Sequence, residues 1–150
     1  MSLGGPASNA LDTAVRNSIS SGITYTVPAG AANGNANTSS PARVTQALTV
    51  GVTDRNDVVP AWSNWGDVID ICAPGVQVVS LWNASDSATY TASGTSFGAA
   101  HVAGAVALYL YDNPAASPAT VHSAIVSHGT TGIVPDGRCG APGRLLYTGV

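Results

Sequence analysis

The sequence has little charge and contains neither Lys nor Glu. Charged residues make up 9% of its 150 residues, and the formal net charge is −3. An average soluble domain has about 25% charged residues. The few Arg residues are scattered along the chain and form no basic stripe that would attract nucleic acid or an anionic membrane, so we expect neither as a partner.

Long apolar runs are missing as well. The longest extends from Val102 to Leu110, is interrupted by Gly104, and is far shorter than the about 20 residues that cross a bilayer. Met1 is not followed by the cationic head and apolar stretch of a secretory signal, which leaves the localisation open. Hydrophobic residues nevertheless reach 45%, and the length is that of one ordinary domain. We therefore expect residues 1–150 to form a single unit.

Cysteine is scarce. Cys72 and Cys139 would permit one disulfide, but they show no C-x-x-C spacing and have no neighbouring His. The pattern is weak evidence for either a disulfide or a zinc site. We expect two buried free thiols instead.

The apolar residues that are present indicate alternating helices and strands. Leu11, Val15 and Ile19 recur at helical spacing within residues 7–20, and the pair Ser117-Pro118 can start another helix. A third helix, residues 96–111, is apolar on every side and is expected to be buried. Short apolar runs predict strands at residues 23–29, 47–53, 68–72, 76–81 and 144–148. This order favours an α/β fold with a mostly parallel sheet.

The stretch from Gly94 to Gly104 is the most specific signal in the chain. It reads Gly-Thr-Ser-Phe-Gly-Ala-Ala-His-Val-Ala-Gly and places Ser96 at the start of the apolar helix. A helix N-terminus has unpaired N–H groups and positive potential, which suit a nucleophile whose attack creates an oxyanion. Gly-Thr-Ser alone would be equally typical of a helix cap, so the longer stretch carries the signal.

This stretch resembles the nucleophile motif of the subtilisin-like serine peptidases (subtilases), in particular their proteinase K-like branch. The family motif reads Gly-Thr-Ser-Met-Ala-Thr-Pro-His-Val-Ala-Gly, and the chain keeps its first three and last four residues. Other family landmarks follow in the same order over essentially the whole chain, at residues 2–5, 27–30, 40–42, 50–51, 63–66, 70–75 and 145–147. The resemblance implies a subtilisin-like three-layer α/β/α fold with a mostly parallel sheet, of which the N-terminal part is missing.

The resemblance also implies roles for particular residues. Ser96 would be the catalytic nucleophile of a serine endopeptidase. Two segments would form the walls that bind an extended peptide or protein substrate, namely Ser2-Leu3-Gly4 and Pro28-Ala29-Gly30. Because the family is mostly secreted, the resemblance would place the protein outside the cell.

Two members of the family's catalytic triad have no counterpart in the chain. The Asp and His segments of the family precede the Ser-Leu-Gly-Gly segment with which the chain begins. A Ser without a base beside it is a weak nucleophile, so we expect a C-terminal, truncated portion of a peptidase domain that is inactive alone. The alternative is a non-catalytic relic that binds a peptide or a partner through a Ser2-Leu3-Gly4 edge strand. A truncated sheet exposes an edge, which predicts a homo-oligomer.

None of the three His residues is expected to replace the missing base. His101 lies five residues after Ser96, where the family has a structural His. His128, followed by Gly-Thr, imitates the family's catalytic His motif but comes after the nucleophile. His122 is expected to be an ordinary surface or half-buried residue.

The oxyanion hole is a further departure from the family. There the second wall is followed by an Asn whose amide donates to the developing oxyanion, whereas the chain has Ala31, which has no side-chain donor. Asn33 or Asn35 could serve if the loop bends differently.

By the same resemblance, Asp70 matches a carboxylate that binds a structural calcium ion together with the carbonyl groups of Thr45 and Ala47. Oxygen ligands of this kind suit Ca²⁺. In the other interpretation, Asp70 caps a strand end or pairs with Arg43 or Arg55. No cofactor is expected for catalysis.

Overall fold

The computed structural model describes residues 1–134 and 138–149. Its helices are α1 (Asn9–Ser20), α2 (Thr95–Asp112) and α3 (Pro118–His128), with a short 3₁₀ turn at Ala36–Thr38. Its strands are β1 (Gly5–Pro6), β2 (Thr26–Pro28), β3 (Ser39–Ser40), β4 (Leu48–Thr53), β5 (Ile71–Pro74), β6 (Val78–Leu81), β7 (Thr89–Ala92), β8 (Thr130–Thr131) and β9 (Arg144–Leu145). No helix of these residues is long and apolar enough to cross a membrane.

Five strands form the central sheet, in the order β2-β4-β5-β9-β8. The pairs from β2 to β9 are parallel and β8 runs antiparallel to β9, which confirms the prediction of a mostly parallel sheet. Two small antiparallel pairs, β1-β3 and β6-β7, lie outside it. The sequence did not predict β7, because Thr-Tyr-Thr-Ala is short and polar and three of its four residues are exposed.

The helices cover both faces of the sheet. Neighbouring residues of a strand point to opposite faces. In β2, the Thr26 hydroxyl donates to the Ala99 carbonyl of α2, whereas Val27 packs with Val15 and Ile19 of α1. Helix α3 lies on the same face as α2, where its Val121 joins the core that contains strands β4 and β5. The chain therefore has three layers, with α1 on one face and α2 and α3 on the other.

The ends of the helices follow local signals. The Ser8 hydroxyl accepts a hydrogen bond from the Leu11 N–H and caps α1. The Ser117 hydroxyl accepts from the Thr120 N–H, and Pro118 occupies the first turn of α3, as the sequence predicts.

Helix α2 is buried on one side only, so the prediction of a helix buried all round is wrong. Its sheet-facing residues, among them Ala99 and Val102, are buried in the main core. On the other side Leu108 and Tyr111 are exposed. The reason is that the sheet and α3 pack against one face of the helix, and no other layer of the described residues covers the opposite face.

The two cysteines form a disulfide, so the expectation of free thiols is also wrong. Cys72 lies in β5 between Ile71 and Ala73, which face α2, and so points to the opposite face of the sheet. The C-terminal segment returns there, where the Leu146 N–H donates to the Cys72 carbonyl. Tertiary folding brings together two thiols that are 67 residues apart in sequence, and both are fully buried.

Candidate active site

Ser96 is the second residue of α2, as the sequence predicts. The residue before the helix is Gly94, and no side chain caps this end. The Phe97 N–H donates to the Gly94 carbonyl over 3.1 Å, and no side chain caps the N–H groups that precede it, which suit a developing negative charge beside the Ser96 hydroxyl.

The turn that delivers Ser96 lies at the carboxyl ends of β4 and β5. The Gly94 N–H donates to the Gly75 carbonyl over 2.8 Å. A Cβ atom at Gly75 would lie 2.2 Å from Val52 Cγ1 and 2.9 Å from the Gly94 carbonyl oxygen, so only glycine allows this approach. In open parallel sheets this edge is where ligands bind.

The first predicted substrate wall lies beside Ser96. The Ser96 hydroxyl donates to the Ser2 carbonyl over 3.5 Å, and the Ser2 hydroxyl donates to the Ser96 carbonyl over 3.2 Å. Residues 2–4, including Leu3 and Gly4, are exposed but belong to no strand, since β1 begins at Gly5. The edge of the central sheet is β2, and the N-terminal ammonium group of Met1 donates to the Thr26 carbonyl there.

The second predicted wall reaches the site through Gly30. Pro28 and Ala29 are buried at the end of β2, whereas Gly30 is half-buried. The Gly30 N–H donates to the hydroxyl of Thr95 over 3.1 Å, which ties this wall to the residue next to Ser96. Gly30 has φ +103°, a conformation that disfavours other residues.

The turn after Gly30 is held by Asn64, a residue whose role the sequence analysis missed. The buried Asn64 amide donates to the Ala29 carbonyl over 2.8 Å and accepts from the N–H groups of Ala32 and Gly34, each over 2.9 Å. A Cβ atom at Gly30 would lie 2.3 Å from Asn64 Nδ2. Asn64 belongs to the landmark at residues 63–66, which is the signal that could have found it.

The predicted oxyanion residues lie in this turn. Ala31 is exposed and offers no side-chain donor. The backbone of Asn33 is fixed, because its N–H donates to the Trp62 carbonyl and its carbonyl accepts from the indole N–H of Trp65. The side chain of Asn35 accepts from the Asn37 N–H and caps the 3₁₀ turn. Hydrogen bonds therefore hold this turn in place, although residue 31 has no side-chain amide.

The imidazoles make contacts elsewhere. His101 Nδ1 lies 2.8 Å from the Phe97 carbonyl, and His128 Nδ1 lies 2.8 Å from the Ala124 carbonyl. Among residues 1–134 and 138–149, the hydrogen-bond partner of the Ser96 hydroxyl is the Ser2 carbonyl, not an imidazole. In the described part of the chain, the Ser96 hydroxyl therefore lies beside a backbone carbonyl and not beside a side-chain base.

Asp70 lies away from this site and contacts His122. Asp70 Oδ2 accepts from the Thr49 N–H over 2.8 Å, and Oδ1 lies 3.4 Å from His122 Nε2. Hydrogen bonding to Asp70 raises the pKa of His122 above its usual value, against the lowering effect of burial. The proposed pairing of Asp70 with Arg43 is wrong, because Arg43 pairs with Asp12 over 2.5 Å.

The other predicted calcium ligands are Thr45, which is exposed, and Ala47, which is buried. Within the described part of the chain there is no group of three or more His, Cys, Asp or Glu residues that could hold a metal ion.

Comparisons with known proteins agree with this geometry. The profile of the Subtilase family matches residues 1–141. The extracellular serine proteinase of Thermus sp. (strain Rt41A) is 49% identical over 99% of this chain and 36% of that protein. The alkaline serine exoprotease A of Vibrio alginolyticus is 46% identical over 99% of this chain and 27% of that protein.

The fold is likewise that of a solved relative. The crystal structure of a cold adapted subtilisin-like serine proteinase superimposes with a TM-score of 0.94 at 41% identity, over 100% of this chain and 54% of that chain. The chain thus spans about a quarter to a third of the length of these two curated relatives and about half of the solved one. Its subtilisin-like α/β fold and the match over residues 1–141 show that the chain belongs to the Subtilase family.

Proposed function

We propose that the chain supplies the nucleophile and the substrate walls of a subtilase serine endopeptidase and is inactive until an Asp and a His from outside residues 1–150 reach Ser96. The observation that carries the proposal is the position of Ser96 at an uncapped helix N-terminus, between the Ser2 segment and the Gly30 turn. A peptide held between these walls would present its carbonyl carbon to the Ser96 hydroxyl.

The chemistry follows from these positions. Ser96 Oγ attacks the scissile carbonyl while a His takes its proton and an Asp orients the imidazole, and water later releases the acyl group. The N–H groups at the start of α2 stabilise the oxyanion from one side. Ala31 contributes no side-chain donor from the other side. In subtilisin itself, loss of this donor lowers kcat by roughly 10²–10³.

A fluorophosphonate probe, which labels activated serines, tests the proposal. We expect no labelling of the 150-residue chain. A chimera in which the Asp- and His-bearing segment of the Thermus relative precedes Ser2 should label and should hydrolyse a peptide substrate. Ser96→Ala should abolish both, whereas the matched change Ser87→Ala, at an exposed serine of the β6-β7 loop, should change neither.

Two results would contradict the proposal. Labelling of Ser96 in the chain alone would mean that a base comes from within the chain or from a second copy, and variants at His101, His122 and His128 would identify it. Hydrolysis by the chimera that survives Ser96→Ala would mean that another residue is the nucleophile.

A second candidate function is peptide binding without catalysis. Ala31 favours it, because the turn is built and held without an oxyanion donor. In this case a chimera that folds would bind an extended peptide along residues 2–4 but would not hydrolyse it, even after Ala31→Asn restores the donor. Hydrolysis that rises with Ala31→Asn would support the enzyme instead.

We also infer that the protein matures in an oxidising compartment. Cys72 and Cys139 form a disulfide. Disulfides persist in oxidising compartments and are rare in the cytosol. The name of the Thermus relative, an extracellular proteinase, points the same way. Free thiols at both positions in protein isolated from its natural source would contradict this inference.

A further inference from the structure

Asp70 holds the beginnings of two neighbouring strands together. Its N–H donates to the Thr49 carbonyl over 2.9 Å, and its Oδ2 accepts from the Thr49 N–H over 2.8 Å. Asp70 immediately precedes β5, and Thr49 is the second residue of β4. One carboxylate oxygen is therefore used inside the sheet, and Oδ1 alone is left for another partner.

Helix α3 brings that partner. Val121 and Ile125 anchor the helix in the core, and the next residue after Val121 is His122. His122 Nε2 lies 3.4 Å from Asp70 Oδ1, and both side chains are about three-quarters buried. The Nε2 atom is itself buried and has no hydrogen-bond partner of good geometry in the described part of the chain, so Asp70 Oδ1 is the acceptor within its reach.

These residues do not fit a calcium ion. Ca²⁺ takes 6–8 oxygen ligands at about 2.3–2.6 Å. Here the first carboxylate oxygen accepts from an amide, and an imidazole nitrogen faces the second. A cavity of about 260 Å³, which His122 lines together with Thr45, Gln46 and Ser123 among others, has no carboxylate in its wall. A cation at Oδ1 would have to share its space with Nε2, and the described residues around this cavity offer no second carboxylate.

We propose that His122 takes the place of a cation at Asp70, so that α3 is fastened to the start of β4 and β5 by an imidazole–carboxylate contact and not by a metal. Burial of the Asp70 carboxylate costs free energy that a bound cation would offset. Here His122 offsets it, because a carboxylate facing an N–H donor is stabilised. The proposal concerns stability alone and does not depend on the role of Ser96.

Thermal unfolding of the 150-residue chain tests the proposal. The melting temperature of the wild type should be the same in millimolar calcium chloride and in excess EDTA. His122→Ala should lower it in EDTA by about 2–4 °C, the shift expected when a contact of ordinary strength is lost from a domain of this size. Ser123→Ala, at the exposed neighbour on the same helix, is the matched control and should not lower it, because Ala has the higher helix propensity.

Either of two results overturns the proposal. One is a wild-type melting temperature that rises with calcium and loses this rise in Asp70→Asn, because the carboxylate would then bind the cation. The other is a melting temperature in EDTA that does not change in His122→Ala. Should Asp70→Asn fail to fold, calorimetric titration of the wild type with calcium chloride decides the first point, since the proposal expects no binding heat.

Discussion

The two edges of the five-stranded sheet differ in what stabilises them. At the β8-β9 edge each strand has only two residues, yet the segment is tied to β5 by the Cys72–Cys139 disulfide. At the β2 edge the strand is fully buried, but beside it lies an open apolar groove of about 310 Å³ between β2 and α2. The comparison teaches that short strands need closure from elsewhere: one edge has it as a covalent bond, and beside the other an apolar groove is left open in the described part of the chain.

Removing the disulfide should have the largest effect on stability. We expect Cys72→Ser combined with Cys139→Ser to lower the free energy of unfolding by about 2–5 kcal/mol, because the C-terminal segment loses its covalent tie to β5. Chemical denaturation of the two proteins measures the difference.

Hydrogen exchange locates this effect. The amide of Leu146, which donates to the Cys72 carbonyl, should lose protection first, while that of Leu48 in the sheet interior should keep it. Equal loss of protection at the Leu146 and Leu48 amides would mean that the two edges of the sheet do not unfold independently, which would contradict the comparison.

The packing of α2 on the sheet between these edges should matter next most. A Cβ atom at Gly98 would lie 2.8 Å from Val52 Cγ1 and 3.0 Å from the Gly51 carbonyl oxygen, whereas at Gly104 it would meet nothing within 4 Å. Replacing either glycine by Ala gains about 1 kcal/mol of helix propensity. Only Gly98→Ala also overpacks the core, which costs about 1–3 kcal/mol.

We therefore expect Gly98→Ala to be less stable than Gly104→Ala by about 1–3 kcal/mol in matched urea titrations. Because both variants share the gain in propensity, the difference between them reports packing alone. Equal stability of the two variants would mean that α2 lies less tightly on β4 than the structure shows.

The sequence predicted what local signals determine. The cap of α3, the position of Ser96 at the start of α2 and the apolar strand β4 all depend on residues within a few positions of one another. The features it missed join distant parts of the chain. Asn64 holds a turn 30–35 residues earlier, and the Cys72–Cys139 pair spans 67 residues. Hydrophobic periodicity and turn residues do not encode such contacts, because the contacts exist only once the layers have packed.

The dependence on packing between distant parts of the chain also explains why the prediction of a fully buried α2 was wrong. A helix that is apolar on every side indicates burial on every side, but burial depends on the layers that pack against it. The sheet and α3 cover one side, and the exposed Leu108 and Tyr111 show that the described residues leave the other open.

Association of two chains should show whether the groove beside β2 is an interface. We expect a homodimer at micromolar concentration, in which the apolar groove beside β2 is covered by a second copy. Ile23 lines the groove, and Ile23→Arg should weaken the dimer at least about tenfold, or about 1.4 kcal/mol. Val58→Arg, at a residue that is similarly exposed but lies outside the groove, is the control. A monomer by light scattering, or equal weakening by both changes, would count against this use of the edge.

Acid should destabilise the β2 side of the molecule, where α1 carries Asp12, before it destabilises the disulfide side. Burial acts to raise the pKa of Asp12 in α1, but hydrogen bonding from Ser40 and Arg43 and the charges of Arg43 and Arg16 outweigh it, and the pKa lies below its usual value. A carboxylate with a lowered pKa contributes stability above its unfolded pKa of about 3.9, and that contribution is lost as the pH falls through its folded pKa. The disulfide does not titrate in this range.

We therefore expect stability to decrease below about pH 4 and the α1 side to open first. Asp12→Asn should remove this part of the pH dependence, because the side chain no longer gains a proton on unfolding, whereas Asp112→Asn, at an exposed carboxylate, should retain it. Urea titrations between neutral and acidic pH give the slope for each protein, and hydrogen exchange shows where opening begins. A slope shared by both variants would mean that the acid sensitivity lies elsewhere, and opening at Leu146 before α1 would mean that the covalently closed edge is the weaker one.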